Sequence, residues 1–246
     1  MLFLMLTCFT LNSSGQLSSD KDKRIVAYFI KLVKTQNVGK LADQVNYPLR
    51  REYPIPAIAN KQEFIKRYKQ IFDDSLRNVI THSDQIKDWS QVGWRGIMLL
   101  QGVLWIDGKL TSINYQSATE KKLRDKLIAD DKSRLPATLR DYRNPILYME
   151  TPKFLVRIDE MADGKYRYAS WSRGVDIKSK PDLVINNGTW TPDGSGGNHY
   201  YRFTSGHYQY DCVINIIGER GSAPGELKVT KSGQEILKQK STLLKY

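Results

Sequence analysis

The chain has 246 residues, a net charge of +12, and hydrophobic and charged fractions of 40% and 26%. These values exclude wholesale disorder and leave room for one large domain or two modest ones. Residues 1–150 carry 24 Lys and Arg against 16 Asp and Glu, and residues 151–246 carry 14 against 10. The basic excess is therefore spread out rather than gathered into the face or stripe of a nucleic-acid binder, so nucleic acid is disfavoured as a partner. A diffuse positive charge suits attraction to anionic envelope surfaces, with solubility as the simpler explanation.

The chain opens on an apolar run from Met1 to Leu11, followed by the polar stretch Asn12 to Gln16. This pattern predicts a secretory leader over residues 1–15, with small-residue exits at Ser13 and Gly15 and cleavage after Gly15. The run is too short to span a bilayer. The prediction is a protein exported to the periplasm or beyond the cell, with no transmembrane segment in the mature chain. Lipidation of Cys8 is the alternative anchor. Loss of the leader leaves Cys212 as the single thiol, placed in an apolar strand-like run where a buried inert cysteine is expected.

Ser18, Ser19 and Asp20 cap a helix in which Ile25, Val26, Phe29, Ile30 and Val33 recur at helical spacing. A short second helix covers Val38 to Val45 and stops before Tyr47-Pro48. Residues 50–58 read as extended. Asn60 with Glu63 forms a capping-box-like start, and Phe64, Ile65, Tyr68, Ile71 and Phe72 make the apolar face of the helix that follows. Residues 96–106 form a strand with a bulge or bend at Gly102. Asp107-Gly108 turns it into a hairpin partner over Leu110 to Tyr115. Residues 118–150 are read as a charged, exposed, partly helical connector, punctuated by Pro136 and Asn144-Pro145.

From residue 152 the period becomes two. Strands are expected at Phe154 to Ile158, Lys165 to Trp171, Leu183 to Ile185, Tyr200 to Phe203, His207 to Ile217, Glu226 to Val229 and Gln234 to Leu237. Turn residues separate them, among them Asn186 to Gly188 and Asp193 to Gly197. Short strands at this spacing predict a sandwich or barrel. The expected fold class is thus α+β, with helices and an antiparallel hairpin over residues 16–117 and a small all-β domain over 151–246.

The helix exit Leu41 to Leu49, the Phe64-to-Phe72 helix and the hairpin from Gly96 through Ile106 to Ile113-Asn114 resemble the nuclear-transport-factor-2-like, or cystatin-like, α+β fold. The resemblance covers about a third of the chain. It implies helices on a curled sheet around a cone-shaped pocket. Isomerases, dehydratases and many binding proteins share that fold, so it does not choose a function. The back half has a generic likeness to small envelope β-domains, including periplasmic inhibitor barrels.

A pocket enzyme of this fold needs a general base in an apolar cavity. Asp43 is the candidate, beside His82, Asp84 and Asp88, with Tyr47 or Trp105 as walls. A solvated acid on a short helix is the plainer account of Asp43, and no nucleophile–base constellation has local support. The histidines His82, His199 and His207 form no ligand pair, so neither a metal nor a cofactor is expected. The loop Asp193 to Asn198 supplies one carboxylate and lacks the closing Glu of a calcium site. The most informative constellation is aromatic: Tyr166, Tyr168, Trp171, Trp190, Tyr200, Tyr201, Phe203, Tyr208 and Tyr210. Aromatic pairs across strands stabilise sheets, and they also form glycan platforms and protein hot spots. Trp171, Tyr200 and Tyr201 are the back-half ligand-binding candidates, with residues 198–203 the first place to seek an exposed face. The expected role is non-catalytic binding of a glycan, peptide or protein. The alternatives are a small-molecule isomerase or lyase working in the front-half pocket, and an inhibitor or structural partner of an envelope enzyme.

Overall fold

The computed structural model describes residues 15–17, 19–194, 196–218 and 221–246. Most of the expected leader, Cys8 included, and Ser18 of the first cap lie outside these residues. The chain is mixed helix and antiparallel sheet, and it divides into two compact units: residues up to Arg51 with Pro56–Lys122, and Glu52–Ile55 with Leu123–Tyr246.

In the first unit, the short strand β1 (Gly15–Gln16) is followed by α1 (Asp20–Lys34), whose N-cap Ser19 accepts from the Lys21 amide. Helix α2 (Val38–Asp43) is capped by Asn37, and α3 (Lys61–Ile71) by Asn60, whose Oδ1 accepts from the Glu63 amide at 3.0 Å. Glu63 reaches back to the amide of Ala59, one residue before the cap, at 2.7 Å. Helix α4 (Asp74–Thr81) was not read from the sequence, although Asp73 caps it and Leu76 and Ile80 are buried on one face. The strands β2 (Trp89–Gln91), β3 (Ile97–Leu99), β4 (Leu104–Asp107) and β5 (Lys109–Ile113) extend β1 into a five-stranded antiparallel meander.

The single strand expected over 96–106 is instead a hairpin. Leu100, Gln101 and Gly102 all take positive φ, 37°, 46° and 97°, and three such residues in a row reverse the chain. Helices and sheet share one core, in which Tyr68 and Phe72 stack at 5.1 Å and Phe64 meets Phe72 edge-on at 5.9 Å. Glu120, fully buried near the start of α5 (Ala118–Arg134), accepts from Arg51 Nε and Nη2 at 2.9 and 2.5 Å. Arg51 also donates to the carbonyls of Ile113 and Tyr115, which ties the chain leaving β5 to the loop after α2.

The second unit is built on a nine-stranded antiparallel sheet. Its strands are β6 (Asn144–Glu150), β7 (Phe154–Glu160), β8 (Tyr166–Ser172), β9 (Leu183–Pro192), β10 (His199–Ser205), β11 (Tyr208–Ile214), β12 (Gly225–Lys231), β13 (Gln234–Lys240) and β14 (Leu243–Lys245). Strands β6 to β13 pair in chain order, and β14 then pairs with β6 at the opposite edge. Laid flat, the outermost strands of such a sheet would stand roughly 38 Å apart. Only Ser241 and Thr242 join β13 to β14, a reach of about 11 Å. The sheet must therefore curl until its edges nearly meet. The amide of Ser241 bonds Gly225 O and that of Thr242 bonds Glu150 O, at 2.8 and 2.7 Å, so the two residues stitch one edge to the other.

The inner face of this curl is packed with Met149, Ile158, Tyr168, Phe203, Cys212 and Leu227, all buried. Asn187 has φ of 63° inside β9, so Asn186–Gly188 is an irregularity within a longer strand and not the turn expected there. Gly188 is required at that point, since a Cβ would run into the Phe203 ring. Two further departures concern residues 118–150. Helix α5 is continuous over Ala118–Arg134, and Leu135, Leu139 and Tyr142 are buried against Leu155, Ala169 and Trp171 on the outer face of β7 and β8. Residues 135–142 thus cover this face, while α5 itself is charged and largely exposed. Pro145 lies inside β6 at a register shift, where a missing N–H is tolerated.

Candidate functional site

Each front-half candidate has a structural occupation. Asp43 ends α2 at the surface, half exposed, with Oδ1 2.6 Å from Lys61 Nζ. It is not in the apolar cavity that a general base of this kind requires. Tyr47 packs edge-on to Phe64 and donates its phenol to Ala42 O at 2.9 Å; burial, then Asp43, pushes its pKa up to about 12. The crevice formed by Ile25, Phe29, Gln44, Ile106 and Leu110 is small, about 50 Å³. Trp105 is half-buried on β4, with the Arg95 guanidinium 5.4 Å from its ring. Asp84 accepts from the amides of Ile86 and Lys87, which hold its carboxyl below the usual range, and Asp88 accepts from the Asp84 amide. His82 is exposed, its Nδ1 3.0 Å from Asn78 O. Asp84 and Asp88 cap one turn, and His82 lines a surface recess of about 350 Å³ with Lys34, Asp74 and Arg77. Among the described residues no cluster of three or more His, Cys, Asp or Glu could hold a metal.

In the back half the alternation sorts the aromatics correctly by face, but the two faces meet different surroundings. Trp171 is 0% exposed on the outer face and donates its indole N–H to Ser179 O at 2.9 Å. It is core, covered by the chain between β8 and β9, and offers no ring face to a ligand. Tyr201 is buried on the inner face between Tyr166 and His199, with ring centroids 4.9 and 5.6 Å away. Tyr200 lies on the outer face with the Arg202 guanidinium 4.8 Å from its ring, and Arg202 is paired with Asp211 across to β11. Of the region 198–203, Asn198 serves as a bracket, its Oδ1 accepting from the amides of Ile216 and Ile217.

Among the described residues this unit holds a polar recess and an apolar one. The first, about 400 Å³, is lined by Tyr53, Tyr148, Asp131, Arg157, Glu150 and Lys245, with others. Its Arg157, Asp131 and Glu150 are already engaged. Arg157 donates to both Asp131 oxygens, at 3.1 and 2.7 Å, and to Asp159 Oδ1 at 2.8 Å. Arg167 donates to Asp159 Oδ2 at 2.8 Å and to Leu139 O at 2.6 Å, and Tyr142 donates to Asp131 at 2.6 Å. Burial alone would lower the Arg157 pKa, but Asp159 and Asp131 more than offset that and raise it. Tyr148 bonds Glu150, and burial first, then that carboxylate, raises the phenol to about 12.

The second recess opens into the curl of the sheet. It measures about 300 Å³ and is walled by Phe154, Tyr168, Leu183, Tyr208, Tyr210 and Leu237, with Ile236 at its rim. Tyr210 stands 5.6 Å from Tyr168. Ile236 is 53% exposed, and the Lys231 ammonium lies 5.3 Å from the Tyr208 ring. The one carboxylate among its lining residues, Asp182, accepts from the amide and hydroxyl of Ser172 at 2.7 and 2.9 Å and so fixes the chain between β8 and β9. An apolar concavity with few polar groups is the common form of a binding site.

Comparison with family models, curated proteins and solved structures finds no match to this chain.

Tyr208 and Tyr210 were legible as aromatics sharing one strand face. Phe154, Leu183, Ile236 and Leu237 were not singled out, because a strand's alternation does not say which residues stand at an open end of a curled sheet. Cys212, on the inner face beside these walls, is 0% exposed. Burial, then Asp211, pushes its thiol well above the ordinary range, which marks it as packing rather than a nucleophile.

Proposed function

We propose that this chain is an exported, non-catalytic binding module that takes an apolar group of a peptide or protein partner into the cleft beneath Tyr208 and Ile236. The observation that carries this reading is the cleft itself: some 300 Å³ of aromatic and aliphatic wall in a unit whose buried ionic groups, Arg157, Asp159 and Arg167, are tied to one another. An eight-stranded barrel interior is just wide enough for its own side chains or one small ligand. Here Tyr168, Phe203, Tyr201 and Met149 fill most of the interior, so what remains suits one or two inserted side chains. Export rests on the apolar leader. The two-domain organisation and a nuclear-transport-factor-2-like front half are part of the same proposal. The front half is supported by helices α1 to α4 sharing a core with a five-stranded antiparallel meander.

The test is an apolar fluorescent probe, anilinonaphthalene sulfonate, titrated into the folded full chain. Saturable enhancement is expected, and Leu183→Trp, which fills the cleft, should reduce it by at least about fivefold without lowering the melting temperature. Enhancement that is absent, or indifferent to Leu183→Trp, would refute the cleft as the site.

A further inference from the structure

The cleft adjoins an unfinished sheet edge. Among the described residues β13 pairs on one side only, with β12. A strand at a sheet edge leaves a row of N–H and C=O groups without ladder partners. Beyond Lys238 this edge is approached by the turn between β6 and β7, where the amide of Lys153 reaches Gln239 Oε1 at 3.3 Å. The open stretch is therefore Gln234 to Lys238. Ile236 stands at its middle, at a register irregularity opposite Val229 and Thr230, and both Ile236 and Leu237 line the apolar cleft.

The β12–β13 hairpin that carries this edge is net positive, while the open stretch itself holds Glu235 beside Lys238. Residues 225–240 hold Lys228, Lys231, Lys238 and Lys240 against Glu226 and Glu235. Glu226 is shared by Lys228 and Lys238, at 3.6 and 3.7 Å, and Lys240 has no carboxylate within 4 Å among the described residues. Lysines and bulges are also the means by which proteins guard an edge against aggregation. Guarding explains the lysines but not a half-exposed isoleucine at the lip of an apolar hollow. Lysines repel a second copy of the same edge and attract a strand that carries carboxylates.

We infer that the open edge of β13 accepts an extended acidic segment of a partner protein as an added strand, with one apolar side chain of that segment seated in the cleft. The inference rests on the cleft reading above and names the partner for it. Main-chain hydrogen bonds would supply affinity and the cleft would select the inserted residue.

The test uses fluorescence anisotropy of the full chain with labelled peptides of roughly nine residues, enough to match a strand of ordinary length. One alternates glutamate with valine around a central phenylalanine; a second carries lysine for glutamate; a third is the acidic peptide N-methylated at alternate amides. The acidic peptide is expected to bind at least about tenfold tighter than the lysine peptide, with affinity falling as salt rises. N-methylation should cost at least about tenfold, since it removes the ladder donors. Ile236→Glu, which leaves the backbone intact, should weaken the acidic peptide by a similar factor. Equal binding of the N-methylated peptide would overturn strand addition and leave the cleft standing. Equal or tighter binding of the lysine peptide would overturn the acidic partner. Failure of every peptide while the apolar probe still saturates the cleft would overturn the inference alone, whereas failure of the probe as well would overturn the cleft reading too. Reversible dimerisation in sedimentation, abolished by Ile236→Glu, would assign the edge to a second copy and also overturn it.

Discussion

Asp159→Asn is expected to be among the most damaging single substitutions in the second unit. Asp159 is 0% exposed and stands between two buried guanidinium groups, accepting from Arg157 Nε and Arg167 Nη2, both at 2.8 Å. An amide in its place cannot serve as anion to either. Arg157 would keep Asp131, but Arg167 would keep only the carbonyls of Leu139 and Asp141. Two unit charges about 4 Å apart at an effective dielectric of 20 attract by about 4 kcal/mol, and removing one partner of a buried pair typically costs about 3–5 kcal/mol. Against a total stability of about 5–15 kcal/mol this is a large share. The corresponding fall in melting temperature is about 6–20 °C. Urea unfolding followed by tryptophan fluorescence measures it directly, since Trp171 is buried in the same outer-face cluster. Asp131→Asn should cost less, because that side chain is 23% exposed and water screens the loss. A quadruple replacement, Arg157→Met and Arg167→Met with Asp159→Leu and Asp131→Asn, removes both charges and both countercharges together and should cost less than Asp159→Asn alone. A loss below about 1 kcal/mol for Asp159→Asn would mean that water reaches the network, and the reasoning from burial would fail.

Trp171→Ala should destabilise the chain by about 3–5 kcal/mol in the same urea assay, and any loss of partner binding should follow the unfolded fraction. Asp43→Asn breaks only the surface pair with Lys61 and should cost no more than about 1 kcal/mol; a metabolite turnover that this change abolished would reinstate the front-half enzyme. The Cys212 thiol should resist a thiol reagent until the chain unfolds, as mass spectrometry across the urea transition would record. Burial raises that thiol and the phenols of Tyr168 and Tyr201 above their ordinary values of 9.0 and 10.0. The folded state therefore holds these protons longer than the unfolded state. Their contribution to stability is whole below about pH 9 and declines as pH passes the unfolded values towards the folded ones, by about 1.4 kcal/mol per pH unit for each group. Cys212→Val should make the decline above pH 9 shallower by one such group, and an unchanged slope would refute the assignment.

The elements legible in the sequence were those with local causes. Ser19, Asn60 and the Asp107-Gly108 pair each determine a turn of chain through their own hydrogen bonds or torsions, and each lies where it was expected. Helix α4 was missed although Asp73, Leu76 and Ile80 supply a cap and a face, because eight residues give little periodicity to detect. Strand β6 was hidden by Pro145. The buried ionic network was invisible for a different reason. Arg157 and Asp159 alternate with Val156 and Ile158 as an outward polar face should, and so does Arg167 with Tyr168. Only the tertiary cover from α5 and the chain through Leu139 and Tyr142 turns that face inward. The same limit applies to the candidate site. Alternation told which aromatics share a face, but which of them stand at a mouth depends on how far the sheet curls.

That curl follows from the shortness of the link between β13 and β14, and it brings the cleft and the open edge together. A meander whose last strand crosses to the first must draw its edges together, and Ser241 and Thr242 leave no slack. Pairing of β14 with β6 then completes one edge. The opposite edge stays open along Gln234 to Lys238, with Ile236 and Leu237 exposed to the hollow inside the curl. Full closure would have satisfied the β13 ladder and sealed the cleft at once. A partner strand that supplies the missing ladder would also cover the cleft, so ladder bonds and apolar burial should be gained together. Truncation after Lys240 offers a way to separate them. Without β14 the two edges are no longer stitched, and the cleft should widen. The apolar probe should then bind with an altered emission maximum, while the N-methylated peptide should remain at least about tenfold weaker than its parent, since β13 still presents the same edge. If truncation instead erased the difference between those two peptides, the ladder at β13 would not be what holds the strand.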